Sequence, residues 1–239
     1  MPAGEPSPTR QRIVAAAMRL FGEQGYAATT VAEIEAAAGL SPGSGSLYRH
    51  FPSKQALLAE GVRTQIESGE DLVAFLSDPA ALDVLPPRAR LAMVARAGLR
   101  RLDRERDLNR LLVRDLGRFP DLLTAMREGE IQRIYRLVTQ WLATQAPAAE
   151  RDWAALAAVI IGSVSHYWLL CDVFGEHPAG IDEERYVAAL AEMAARLVGN
   201  ADTNNETTMQ PARRNREPDD PGPRALRSPK DRPGHHLPS

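Results

Sequence analysis

Apolar side chains recur along most of this chain at the spacing of an α-helix rather than that of a β-strand. Ile13, Ala16, Ala17, Leu20 and Phe21 give the first example, because they fall at positions i, i+3, i+4, i+7 and i+8. No segment alternates apolar and polar β-branched residues as half-buried strands do. The low aromatic share of 5%, beside many alanines and leucines, also favours helices. The sequence therefore predicts an all-α chain of about nine helices.

Capping residues divide the first part of the chain into four short helices. Thr30 and Glu33 have the spacing of a capping box, in which each side chain accepts a hydrogen bond from the other residue's backbone N–H. Gly25 and Gly39 are suited to end the first and second helices. The expected N-caps, in chain order, are Thr9, Thr30, Ser41 or Ser44, and Ser53. The apolar face expected on the fourth helix consists of Leu58, Val62 and Ile66.

Five longer helices are predicted after a break between Ser77 and Pro87. Their approximate extents are Leu91–Leu102, Leu108–Leu116, Pro120–Pro147, Ala149–Phe174 and Glu183–Val198. Asp182 can cap the last of them before Gly199 ends it. From Asn200 onward the chain has many prolines, mixed charges and few large apolar residues, so residues 200–239 are expected to form a disordered tail.

The second and third predicted helices are separated by the tight element Gly39-Leu40-Ser41. This is the arrangement of a helix-turn-helix, which sets a small exposed helix in the major groove of DNA. Leu47 and Phe51 would anchor the third helix to the core. The polar side chains expected on its outward face, or just after it, are Ser44, Ser46, Tyr48, Arg49, His50 and Lys54. Such hydroxyl, imidazole and cationic groups suit phosphate oxygens and base edges.

A solvated face on a small helical bundle is the alternative interpretation of these polar side chains. Residues 9–55 contain five Lys or Arg residues and three Glu residues, a net charge of only +2, which is a weak attraction for DNA. The whole chain has a formal net charge of −2 and carries no general nucleic-acid signature. The pattern alone leaves both interpretations open.

A family resemblance favours the DNA-binding interpretation. Residues 9–58, TRQRIVAAAMRLFGEQGYAATTVAEIEAAAGLSPGSGSLYRHFPSKQALL, resemble the DNA-binding region of TetR-family transcriptional regulators. The shared features are a phenylalanine and glycine ending the first helix, the Thr-Thr start of the second, the Ala-Gly turn, and Leu-Tyr-Arg-His-Phe followed by Ser-Lys. Residues that the resemblance implies to lie near bases or the sugar-phosphate backbone are Thr30, Ser44, Ser46 and Arg49. Those implied to hold backbone phosphates are Tyr48, His50 and Lys54.

Two features depart from the family pattern. Ala32 stands where many members carry a basic residue, so base reading by the second helix loses one contact. The turn over residues 41–46, SPGSGS, is about two residues longer than the commonest form, and its two glycines are unfavourable inside a helix. We therefore expect the third helix to start late or with an irregular turn, or to become ordered on DNA, and backbone contacts to gain in importance.

The run Trp153–Cys171 contains no Asp, Glu, Lys or Arg and is long enough to be a transmembrane candidate. Its Ser163, Ser165 and His166, and the lack of a flanking basic cluster, argue against a membrane span. The resemblance implies instead a second domain that binds a ligand and dimerises. Residues assigned to a homodimer interface within a four-helix bundle are Trp153, Leu156, Ile160, Val164, Leu190, Met193 and Leu197. A core helix of a monomer is the alternative.

A pocket for a small molecule is expected in the second domain, built from apolar walls and a few polar anchors. The candidate lining residues are Met126, Tyr135, Trp141, His166 and Tyr167. Each of them can equally be plain core, and a histidine such as His166 in an apolar run is more often buried with a backbone partner. The segment Leu111–Leu123, LLVRDLGRFPDLL, also resembles the ligand-binding half of some TetR-family members.

Enzyme signatures are missing from the sequence. It contains no H-E-x-x-H, G-x-S-x-G or G-x-x-x-x-G-K-[ST] pattern, and no Cys or His pair at metal spacing before the tail. We therefore expect no catalytic residue, no metal ligand and no cofactor. Cys171 is the single cysteine and residues 1–10 contain no apolar run, so a cytoplasmic location is expected.

The sequence thus predicts three regions, a helix-turn-helix domain over 1–52, an effector-binding and dimerisation domain over 53–199, and the tail over 200–239. The expected function is that of a homodimeric repressor, released from a palindromic operator on double-stranded DNA by a small hydrophobic or amphipathic effector. The fourth helix is the expected lever between the two domains. An effector-free DNA-binding protein of the same fold is the alternative, and an all-α enzyme is a more distant one.

Overall fold

The computed structural model describes residues 7–67, 70–78, 84–146 and 151–199, and these ranges contain helices and turns but no strand. The all-α prediction is therefore confirmed. The α-helices are α1 (Pro8–Gln24), α2 (Val31–Ala37), α3 (Lys54–Glu67), α4 (Glu70–Ser77), α5 (Pro87–Arg104), α6 (Arg106–Arg114), α7 (Pro120–Met126), α8 (Gln132–Gln145), α9 (Trp153–Phe174) and α10 (Glu183–Gly199). A π-helical turn, Arg127–Ile131, joins α7 directly to α8. The tail predicted over 200–239 lies outside the described residues.

The first helix begins earlier than its sequence signal indicated. The expected cap at Thr9 is wrong, since the side chain of Ser7 accepts the hydrogen bond from the Arg10 N–H and Pro8 is the first helical residue. A proline fits this position because the first N–H of a helix has no intrahelical partner to lose. α9 begins at Trp153 with Asp152 as its cap, whereas the expected start at Ala149 lies outside the described residues.

Three other predicted caps are present. In the capping box of α2, the Thr30 N–H donates to Glu33 Oε2 over 2.7 Å and the Glu33 N–H donates to Thr30 Oγ1 over 3.2 Å. Ser53 Oγ accepts from the Ala56 N–H at 3.0 Å, at the start of α3. The third cap joins Asp182 Oδ1 to the Arg185 N–H, at 2.8 Å. Local side-chain chemistry therefore sets where these helices begin.

One apolar core joins the N-terminal helices to α6 and α7. Its most deeply buried members are Ile13, Ala17, Phe21, Ile34, Leu47, Leu57, Leu58, Leu111 and Leu116. Gly22 allows α1 to approach α6 closely, because a Cβ at this position would lie 2.5 Å from Asp107 Oδ1. The division of the chain at residue 52 stays a prediction, since α3 and α6 share this core with the residues before it.

The remaining helices form a second bundle, in which α5 packs on α10, α4 and α9, and α8 packs on α9 and α4. Trp141 is buried at its centre, with 1% of its surface exposed. Within the described residues, α9 is the helix whose 22-residue length and mean hydropathy of 1.7 are sufficient for a membrane span. A central helix of a helical bundle has the same composition.

Candidate functional site

The third element of the predicted helix-turn-helix is a 3-10 turn over Ser46–Arg49, and the helix expected from Ser41 or Ser44 is not formed. Gly43 and Gly45 precede it with φ of 72° and 71°, in the left-handed region that glycine occupies without steric cost. The late and irregular start expected from the two extra residues is thus present. We call Ser46–Arg49 the 46–49 turn.

Glu35 holds the 46–49 turn from the protein interior. Its side chain is fully buried, and Oε1 accepts a hydrogen bond from the Leu47 N–H at 3.0 Å. The other oxygen, Oε2, is buried without a hydrogen-bond partner among the described residues. Leu47 and Phe51 are buried beside it, as predicted. Glu35 was not among the predicted site residues, although its position next to Ile34, on the inward side of α2, is a signal that could have revealed it.

The side chains assigned to DNA fall into two groups. Thr30 lies at the start of α2 and Lys54 at the start of α3, and the structure brings them together because Lys54 Nζ donates to the carbonyl of Thr29 at 2.8 Å. The second group lies on or beside the 46–49 turn and comprises Ser44, Ser46, Tyr48, Arg49 and His50. Within it, the hydroxyls of Ser44 and Ser46 are hydrogen-bonded to each other. Tyr48 is 55% exposed, and Ser44 and Arg49 are exposed as well.

Lys54 has a structural role that its sequence position did not indicate. Besides its bond to Thr29, Nζ donates to the Tyr26 carbonyl at 2.7 Å and lies 4.3 Å from the centroid of the Tyr26 ring. Partial burial lowers the pKa of Lys54, while Glu33 acts in the opposite direction. Since an ammonium group has three donors, these two carbonyls leave one for a further acceptor such as a phosphate.

A cavity of about 300 Å³ lies among α5, α6, the π-helical turn, α8 and α9. Most of its wall is aliphatic, and its polar lining residues are Arg101, Glu105, Asn109, Glu130, Tyr135 and Ser165. Arg101 Nε donates to Glu105 Oε1 at 2.9 Å, and Arg101 Nη2 donates to Glu130. Burial raises the pKa of Glu105, although Arg101 opposes this shift. None of these three charged residues was among the predicted pocket residues.

The residues predicted to line a pocket are only partly brought together. Met126 and Tyr135 line the cavity. Trp141 belongs to the core of the second bundle, and the ring of Tyr167 stacks on Tyr186 with the centroids 4.0 Å apart. His166 is exposed, so the expectation of a buried histidine is wrong. A helix that is apolar on most sides gave no signal of which side faces water.

Comparison with known proteins identifies the N-terminal region. Residues 13–60 match the family model of bacterial regulatory proteins, tetR family. This segment is therefore similar to the DNA-binding region of TetR-family regulators. The TetR-type segment is 47% identical over 49 residues to YerO of Bacillus subtilis (strain 168), an uncharacterized HTH-type transcriptional regulator, and 43% identical over 56 residues to the HTH-type transcriptional regulator AcrR of Shigella flexneri.

These two matches are short. They cover 20% and 23% of this chain, and the chain in turn spans 16% of YerO and 25% of AcrR. The fold extends further, because a TetR-like transcriptional regulator from Rhodococcus sp. RHA1 superposes with a TM-score of 0.59, at 20% identity over 82% of this chain and 99% of that one. TetR-family regulators are non-enzymatic DNA-binding transcription factors, in agreement with the lack of enzyme motifs in the sequence.

The residues assigned to a dimer interface lie on different faces of α9 and α10. Ile160, Val164 and Leu190 are buried within the chain itself, whereas Met193 and Leu197 are 45% and 41% exposed. Trp153 and Leu156 are half-buried against the second bundle. On the outer side of α9 stand Ala155, Ala158, Val159 and Gly162, all exposed. We call these four residues, with Met193 and Leu197, the outer apolar face.

Proposed function

We propose that this protein is a homodimeric transcriptional repressor that leaves a palindromic operator when a small amphipathic molecule enters the cavity. The TetR-type segment supports DNA binding. Glu35 and Leu47 hold its exposed polar turn to the core, and an element that contacts bases in the major groove must be held in this way. Repression, dimerisation and release by a ligand are further parts of the proposal, which the similarity of the TetR-type segment does not cover.

Release by a ligand is supported most directly by side chains that belong to the cavity and to the N-terminal core at once. Leu108 and Met126 line the cavity and are also buried members of the core that contains α1, α2 and α3. A ligand that displaces them therefore displaces atoms packed against the DNA-binding region. The shared side chains of the cavity and the core favour an effector-gated protein. In an effector-free protein, side chains would fill the cavity.

The end of α6 provides a second link. Arg114 Nη2 donates to the carbonyls of Phe21 and Gly22 at 2.6 and 2.8 Å, and Asp115 Oδ2 accepts from the Tyr26 N–H at 3.1 Å. α6 thus binds the C-terminal end of α1 at one end, while Leu108 contacts the cavity near its other end. A shift of α6 would move α1 together with the 46–49 turn, in addition to any lever action of α3.

A homodimer is supported by the outer apolar face, because exposed apolar surface of this kind marks an interaction site. Small residues on α9 allow a second helix to approach closely, and a two-fold axis through this face would create the four-helix bundle expected from the sequence. A dimer is also what a palindromic operator requires, since its half-sites lie about 34–36 Å apart on one side of DNA.

Selection of DNA from a random pool by the full-length protein tests the proposal. We expect enrichment of an inverted repeat whose half-sites are about one helical turn apart. Arg49→Ala should abolish the enrichment while leaving the fold intact. If no sequence is enriched and all DNA binds equally, a sequence-specific regulator is excluded. If a single unrepeated site is enriched, DNA recognition stands and the dimeric operator complex is overturned.

A further inference from the structure

The cavity wall contains one buried cation and two buried anions. Arg101, Glu105 and Glu130 are exposed by 6%, 8% and 7%, and all three line the cavity. The guanidinium bonds to both carboxylates, so with both ionised the cluster has an excess of one negative charge. Because water is largely excluded from this site, that excess is not screened as it would be at the surface.

Other cations near the cluster are exposed and compensate for it weakly. Arg133 Nη1 lies 3.8 Å from Glu130 Oε2, and the Arg133 side chain is 48% exposed. The charge of Arg104 lowers the pKa of Glu105, and Arg104 is exposed as well. Ion pairs that involve exposed side chains are screened by water and contribute little. Burial raises the pKa of Glu105 even though Arg101 lowers it, so the ion pair with Arg101 does not fully compensate for the desolvation of this carboxylate.

Two further features indicate that contacts within the protein do not fully satisfy this cluster. Glu130 lies in the π-helical turn, and a turn of this kind interrupts regular helical bonding and is found frequently at functional sites. Glu130 is buried there, while its neighbours Glu128 and Gly129 are exposed. In addition, Arg101 Nη1 is a buried N–H donor without a hydrogen-bond partner among the described residues, and an acceptor atom on a ligand would satisfy it. A buried polar cluster that the protein does not satisfy by itself is typical of a ligand site.

We propose that the cavity binds an organic cation with an apolar body, such as an alkylammonium ion, with its charged nitrogen against Glu105 and Glu130. This inference rests on the proposed function, because it names the class of effector. The volume of about 300 Å³ and the aliphatic wall fit a short alkyl chain. An anionic amphiphile would add to the negative excess, and a neutral one would leave it uncompensated.

Three ligands with the same chain and different head groups test this inference. Octyltrimethylammonium, octanol and octanoate are titrated into the full-length protein in a calorimeter. We expect the cation to bind at least about tenfold more tightly than octanol, and octanoate to bind most weakly. Glu105→Gln and Glu130→Gln should each weaken cation binding about tenfold and leave octanol binding unchanged. Glu128→Gln, an exposed neighbour on the same turn, is the matched control and should change neither.

The outcomes separate this inference from the proposed function. Octanol or octanoate binding as tightly as the cation, or no binding of the cation, overturns the inference even if one of these ligands releases operator DNA. Cation binding that depends on the two glutamates but leaves operator affinity unchanged supports the site and overturns the effector role. If a Gln variant fails to fold, the ligand series on the unmodified protein still decides.

Discussion

Glu35 is the side chain that links the interior of the DNA-binding region to its exposed turn. Replacing it by alanine removes the acceptor for the Leu47 N–H and leaves that donor buried, which costs about 1–3 kcal/mol. We expect Glu35→Ala to lower the free energy of unfolding in urea by this amount and to weaken DNA binding. Glu35→Gln retains an acceptor oxygen and should cost less. Equal losses in the two variants would contradict a role in orienting the turn.

Lys54 and Arg49 are both assigned to DNA, but only Lys54 has a defined internal role. We expect Lys54→Ala to lower Tm, because the Tyr26 and Thr29 carbonyls lose their donor, and also to reduce the salt slope of DNA binding by about one. Arg49→Ala should reduce the slope by a similar amount at unchanged Tm. Titrations at several salt concentrations and a thermal melt measure both effects. A lower Tm with an unchanged slope would make Lys54 a purely structural residue.

At the scale of single residues, the sequence predicts what depends on near neighbours. The capping box of Thr30 and Glu33 could be predicted because both partners are three residues apart on one helix. Arg101 and Glu130 are 29 residues apart, and they meet only because α5 packs beside a π-helical turn. No periodicity encodes that meeting, so the charged part of the cavity was not predictable.

Among the helices, the contact between α1 and α6 offers the sharpest test of coupling. An alanine Cβ at Gly22 would lie 2.7 Å from Asp107 Cα, so the two helices must separate. We expect Gly22→Ala to cost about 1–3 kcal/mol in urea unfolding, as overpacking generally does, and to alter operator affinity. Gly117→Ala is the matched control, because no heavy atom lies within 4 Å of the added Cβ. Unchanged operator affinity in Gly22→Ala would exclude this contact from the coupling path.

The positions of the helices along the chain were more predictable than which face of each helix is buried. Glycine content predicted the irregular approach to the 46–49 turn, but not that a buried glutamate would secure it. Along α9, bulky residues such as Ile160 and Val164 turn inward and small residues turn outward. The bulky residues were predicted to lie at the dimer interface, because an apolar helix with no polar side gives no indication of which side faces the core. Which face is covered follows from packing against α5 and α8, which depends on distant parts of the chain.

The assembly of the whole molecule can be tested at Val159, a residue of the outer apolar face that is 58% exposed. We expect Val159→Glu to weaken dimerisation at least tenfold, because an unpaired charge would be buried in the bundle. Leu123→Glu is the matched control, since Leu123 is 38% exposed on α7, away from this face. Sedimentation velocity measures both. A dimer that survives in Val159→Glu would place the interface elsewhere.

The central claim is that the cavity and the operator site are coupled, and reciprocal titration of the full-length protein measures this coupling directly. Operator affinity is measured by fluorescence anisotropy with and without saturating octyltrimethylammonium, and the affinity for this cation is measured with and without operator. We expect the cation to weaken operator binding about 5- to 150-fold, and operator to weaken cation binding by the same factor. A cation that binds the free protein and the operator complex equally well would contradict the account.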